Sequence, residues 1–132
     1  MAPLPTASPS VLIVDDAARI RDLLVEVLAD EGYAAVAVAD GQAALDYLHT
    51  HPAPCCIILD LYMPILDGWQ FHRAQLRTPA LAGIPVIVMS AVARALQPLA
   101  WFQAVAYLPK PFAVDEVLAL VVPLCDPPRP RS

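Results

Sequence analysis

Two rhythms alternate along the chain. Val11, Leu12, Ile13 and Val14 form a short β-branched run, and Ile20, Leu23, Leu24, Val27 and Leu28 then recur at helical spacing until Gly32 stops them. Residues 33–38 interleave valines with alanines and predict a second strand, and residues 41–49 a short helix. Residues 55–59 are apolar throughout and predict a third strand. Between 65 and 77, Leu66, Trp69, Arg73 and Leu76 fall on helical spacings. Residues 84–89 predict a fourth strand, 91–103 a helix interrupted by Pro98, and 105–108 a fifth strand. Val114, Val117, Leu118, Val121 and Val122 mark a last helix.

Strands apolar on both sides, separated by amphipathic helices, imply a parallel sheet covered on both faces. Five βα units in this length fit one doubly wound α/β domain, since a closed eight-stranded barrel needs about 250 residues. The chain has 132 residues, of which 58% are apolar. That is ample for one core and excludes disorder as the dominant state.

Of 15 prolines, six lie at Pro3, Pro5, Pro9, Pro127, Pro128 and Pro130. Residues 1–10 and 126–132 therefore read as extended or disordered tails around an ordered domain at 11–125. The balance of 8 Lys+Arg against 13 Asp+Glu argues against a nucleic-acid surface within the chain. No apolar run approaches the roughly 18 residues that span a bilayer, and residues 1–10 lack the pattern of a signal peptide. Three cysteines, an odd number, predict no disulfide framework and a reducing cytoplasm; Cys55, Cys56 and Cys125 read as small apolar fillers. His49, His51 and His72 have no ligand spacing and read as solvated surface.

The polar residues that follow the strands carry the chemistry. Asp15 and Asp16 follow Val14, Asp60 follows Leu59, Ser90 follows Met89, and Lys110 follows Leu108 after one proline. In a parallel sheet these positions share the carboxyl edge, where doubly wound folds bind ligands. Lys110 is the chain's sole lysine among seven arginines, held between Pro109 and Pro111. It supplies a compact point charge where arginine would fork across two oxygens. Three close carboxylates repel one another unless a cation joins them, and Mg²⁺ suits an oxygen donor set completed by a phosphate. One carboxylate is then free to act as a nucleophile and form an aspartyl phosphate, with the lysine and the hydroxyl holding its oxygens.

These residues resemble the receiver domain of two-component response regulators (CheY-like). The matching segments are VLIVDD at 11–16, ILDLYMPILDG at 58–68, IPVIVMSA at 84–91 and YLPKPF at 107–112. Each is a weak signal, but their order is specific, with 44 residues from Asp16 to Asp60 and 50 from Asp60 to Lys110. The resemblance implies a flavodoxin-like (βα)5 fold with strand order 2-1-3-4-5. It implies that Asp60 is the phosphoacceptor and that Mg²⁺ is held by Asp15, Asp16, Asp60 and the backbone carbonyl of Tyr62. It makes Ser90 the switch hydroxyl, Lys110 the partner of the phosphoryl group with a cis bond to Pro111, and Tyr107 the switching aromatic. Gly68 matches the family's glycine after the loop. By analogy Tyr62 and Val92 flank the line of water attack on the phosphate, which implies a long-lived phosphorylated form.

The implied partners are a sensor histidine kinase or phosphotransfer protein. Downstream, the resemblance implies a target protein or a second copy docking on the face formed by the fourth helix, fifth strand and fifth helix. The segment 92–103 departs from the family: it is short and apolar, carries Pro98, and has Gln103 where glycine is common. That departure motivates an alternative reading, a degenerate receiver acting as a constitutive docking or dimerisation module. A third reading, a phosphohydrolase working through an aspartyl phosphate, is disfavoured by Tyr62 where such enzymes carry a second Asp.

Overall fold

The computed structural model describes residues 10–90 and 103–125. Five strands, β1 (Ser10–Val14), β2 (Ala34–Val38), β3 (Cys56–Asp60), β4 (Val86–Ser90) and β5 (Ala106–Pro109), pair in parallel in the order β2-β1-β3-β4-β5. The helices are α1 (Ala18–Asp30), α2 (Gly41–Thr50), α3 (Gly68–Arg77), a single turn α4 (Pro79–Ala82) and α5 (Val114–Cys125). This is the flavodoxin-like doubly wound arrangement.

The pleat sorts the core into two layers. Val11, Ile13, Ile58 and Met89 point to one face and pack with Leu24 and Leu28 of α1 and Val117 and Val121 of α5. Leu12, Val14, Ile57, Leu59 and Val88 point to the other and pack with Ala44 and Leu48 of α2 and Phe71 of α3. Every residue of β3 and β4 is buried, as their unbroken apolar runs require. Each such Leu, Ile or Phe side chain contributes about 1.5–3 kcal/mol by leaving water.

Several expectations are corrected. α3 starts at Gly68 and not at 65, because Asp67 builds a capping box: its carboxylate accepts from Gln70 N–H while Gln70 reaches back to Asp67 N–H. Ile65 instead has a φ of +69° and is exposed. α4 is a turn the apolar period does not mark, begun by Pro79 at its first position. His72 is buried, not solvated: its Nδ1 lies 2.9 Å from Gln75 Oε1, and its Nε2 accepts from Gln103 N–H. Gln75 is fixed in turn by donating to the Leu81 and Ile84 carbonyls. Burial holds the His72 imidazole below its ordinary pKa, against the opposing effect of the Gln75 contact.

The cysteines are not all apolar fillers. Cys55 and Cys125 form a disulfide, with Cα atoms 5.2 Å apart. An odd count excludes a full framework but not one pair. The pairing depends on topology: α5 runs back along the sheet, so its last residue returns to the edge where β3 begins. Cys56 alone is the buried filler expected, its thiol pushed up to about 12 by burial. The expected helix at 91–103, apart from Gln103, and both tails (residue 10 excepted) lie outside the described residues, as do Val92 and Pro98.

Candidate functional site

The ladder registers define the site. Val14 pairs with Leu59, Asp60 with Met89, and Ser90 with Pro109. The residues just beyond or at these pairs, Asp15, Asp60, Ser90 and Lys110, therefore share the carboxyl edge. Strand order reverses about β1 and β3, so Asp15 and Asp60 sit at the topological switch point, where the flanking loops diverge and leave a crevice.

Local backbone interactions hold each group. Asp15 N–H donates to the Val38 carbonyl, and one Asp15 carboxylate oxygen accepts from Ala17 N–H at 2.8 Å. The Arg21 guanidinium, one turn into α1, donates to the Asp15 carbonyl at 2.8 Å. That support was not legible in the sequence, because Arg21 reads as one more solvated charge on a helix. Lys110 N–H donates to the Ser90 carbonyl, which ties the lysine to the end of β4. The Lys110–Pro111 peptide is cis, as the resemblance implies. Gly68 N–H donates to the Leu61 carbonyl, and a Cβ at Gly68 would collide with the Asp60 carbonyl oxygen. Glycine there lets the loop close directly behind Asp60.

Asp15 and Asp60 are buried and Asp16 is exposed. One carboxylate oxygen from each lies within 4.8 Å of the others. Lys110 Nζ is 2.7 Å from Asp15 and 3.6 Å from Asp60. The Asp60 carboxyl is pushed up to about 6, first by burial and then by the charge of Asp15. The Lys110 ammonium opposes this, Asp16 adds to it, and the Leu61 N–H opposes it by donating a hydrogen bond. One ammonium cannot balance three carboxylates, so the donor set fits a hard divalent cation that prefers oxygen. Ser90 is buried beside this group at the end of β4. Tyr107 lies on β5, half-buried against the α2–α3 side of the core. Tyr62 is 52% exposed.

Comparison gives a class to this open parallel sheet with acids and the chain's sole lysine on its carboxyl edge. Residues 11–122 match the response regulator receiver domain, and the chain belongs to that family. It is 38% identical over 111 residues to response regulator MprA of Mycolicibacterium vanbaalenii, covering 83% of this chain and 47% of the relative. It is 38% identical over 114 residues to MprA of Mycobacterium bovis, covering 85% and 48%. The chain thus spans about half the length of these relatives.

Among solved structures, the receiver domain of Francisella response regulator 1452 superposes with a TM-score of 0.78 at 30% identity, over 88% of this chain and 95% of that one. Chemotaxis protein CheY4 of Vibrio cholerae gives 0.78 at 27% identity, over 89% and 99%. The receiver domain of sensor histidine kinase PA1611 from Pseudomonas aeruginosa, solved with a magnesium ion in its active-site cleft, shares the fold with a TM-score of 0.82 at 24% identity, over 90% and 98%.

Proposed function

We propose that the domain accepts a phosphoryl group on Asp60 from a phosphohistidine of a sensor kinase or phosphotransfer protein. The supporting observation is that Asp15, Asp16 and Asp60 cluster at the switch point of the sheet with Lys110 against Asp15 and Asp60. An Asp60 carboxylate oxygen attacks phosphorus, and the bond from phosphorus to the histidine nitrogen breaks. Asp15, Asp16, Asp60 and the Tyr62 backbone carbonyl would hold Mg²⁺, which neutralises charge developing on the phosphoryl oxygens. Lys110, now paired chiefly with Asp15, is within reach of Asp60 to take one of those oxygens, and Ser90 supplies a hydroxyl for another.

In this reading the domain is a phosphoacceptor and not a turnover enzyme, although it assists its own phosphorylation and dephosphorylation. The acyl phosphate biases two conformations through Ser90 and Tyr107 and so reshapes the face that carries β5 and α5. That face takes a downstream protein or a second copy of the chain. The working unit is 11–125, it sits in the cytoplasm, and nucleic acid is not bound by these residues. The complete set of acids with Lys110 weighs against a purely constitutive docking role. The test is treatment with a small acyl phosphate and Mg²⁺, followed by intact mass. The native chain should gain one phosphoryl group, and Asp60→Asn none. Undiminished incorporation in Asp60→Asn would remove Asp60 from the role.

A further inference from the structure

At the opposite edge of the sheet, three sulfurs gather. Cys55 precedes β3, Cys56 opens it, and Cys125 ends α5. Their Sγ atoms all lie within 4.8 Å of one another. Cys55 and Cys125 are joined, and Cys56 Sγ stands 3.6 Å from Cys125 Sγ. Exposure differs among them: Cys56 and Cys125 are buried, whereas Cys55 is half-buried. Cys55 is also provided for when reduced. Its backbone N–H donates to the Ser10 carbonyl at 2.7 Å, and its Sγ lies 2.9 Å from the same oxygen, which a thiol S–H would take as acceptor. Cys56 is held as a neutral thiol by burial, so it is a poor nucleophile toward its neighbours.

We propose that Cys55–Cys125 is a reversible thiol–disulfide site, exchanging with small thiols and disulfides through Cys55, and that its state sets how firmly the end of α5 is held to the sheet. In the reducing direction a small thiolate attacks Cys55 Sγ. The Cys55–Cys125 bond breaks, a mixed disulfide forms on Cys55, and the Cys125 thiolate leaves and takes a proton. A second thiolate attacks the mixed disulfide, releasing the Cys55 thiolate and one small disulfide. Two electrons pass from two thiols to the protein, and a small disulfide reverses the process. The clip joins the chain's exit from the domain to the foot of β3 across 70 residues of sequence. This inference stands apart from phosphoryl transfer, because its residues lie at the other end of β3 from Asp60.

The test is equilibration of the full chain with graded ratios of reduced to oxidised glutathione, then alkylation in denaturant and intact mass. One alkyl group is expected at the oxidising limit and three at the reducing limit, in a single two-electron step. Peptide mapping should link Cys55 to Cys125, and Cys56→Ser should keep the link. Amide exchange in 114–125 should quicken severalfold on reduction of the native chain, and Cys125→Ser should match the reduced form with or without reductant. The proposal is overturned by three free thiols at every ratio, by a link through Cys56 or between chains, or by a bond that excess thiol leaves closed in the folded protein. Unchanged exchange in α5, or a zinc ion retained by the reduced chain through gel filtration, would overturn it equally.

Discussion

The Lys110 ammonium lies 2.7 Å from an Asp15 carboxylate oxygen, the shorter of its two contacts with the acid rim. Asp15 is fully buried, and Lys110 is the cation that lies against its carboxylate. Lys110→Ala leaves that carboxylate unpaired. In chelator-treated protein the loss should be roughly 3 kcal/mol, measured by urea unfolding, with much of it recovered in Mg²⁺. An unfolding midpoint that does not move would show that the pair contributes nothing to the fold.

Asp60 makes stability depend on pH in the sense opposite to a salt-bridged acid. Its carboxyl in the folded chain stands at about 6, above its ordinary 3.8. The folded state therefore holds the proton more tightly than the unfolded one. This contribution is complete below pH 3.8 and is lost as pH rises through about 6. At pH 8 without metal, Asp60→Asn should be more stable than the native chain by on the order of 2 kcal/mol, and the gain should vanish by pH 4. Denaturant midpoints across that range decide it, and a variant less stable than native at pH 8 would contradict the account.

The same elevated carboxyl couples metal to protons. A divalent ion at Asp15, Asp16 and Asp60 must expel whatever proton Asp60 carries. Near pH 6, calorimetric titration of Mg²⁺ in buffers of different ionisation heat should show release of about half a proton per ion, falling toward zero at pH 8. Identical release at both values would separate the ion from Asp60.

Two glycines at helix ends, Gly68 opening α3 and Gly83 closing α4, should differ sharply. A Cβ at Gly68 meets Leu61 Cα at 2.8 Å as well as the Asp60 carbonyl, all of it backbone, whereas nothing lies within 4 Å of one at Gly83. Gly68→Ala should cost about 1–3 kcal/mol and slow phosphorylation by displacing Asp60, while Gly83→Ala should be near neutral. Thermal unfolding and labelling rates of the two variants compare them directly.

Much of this site could be read in the sequence because it sits where strands end. An apolar run that stops at a polar residue marks both a buried strand and its carboxyl edge, and that rule gathers Asp15, Asp60, Ser90 and Lys110. Features that depend on contacts remote in sequence were not legible. His72 reads as surface until Gln75 and Gln103 engage both its ring nitrogens. Ile65 is a local miss of another kind: the capping box of Asp67 and Gln70, two residues on, starts α3 after it and leaves it at positive φ. Cys125 meets Cys55 only because α5 runs back along the sheet. Periodicity reports which side of an element is buried, not which distant element buries it.

β3 carries Asp60 at one tip and Cys56 at the other, four residues and roughly 13 Å apart. Hydrogen-bonded ladders clasp it on both flanks and hold the two tips at that separation. The two chemistries should therefore sum: the stability changes from Asp60→Asn and Cys125→Ser should add in the double variant to within about 0.5 kcal/mol. Such a strand works as a spacer, keeping the two proposed sites from touching although both bear on α5.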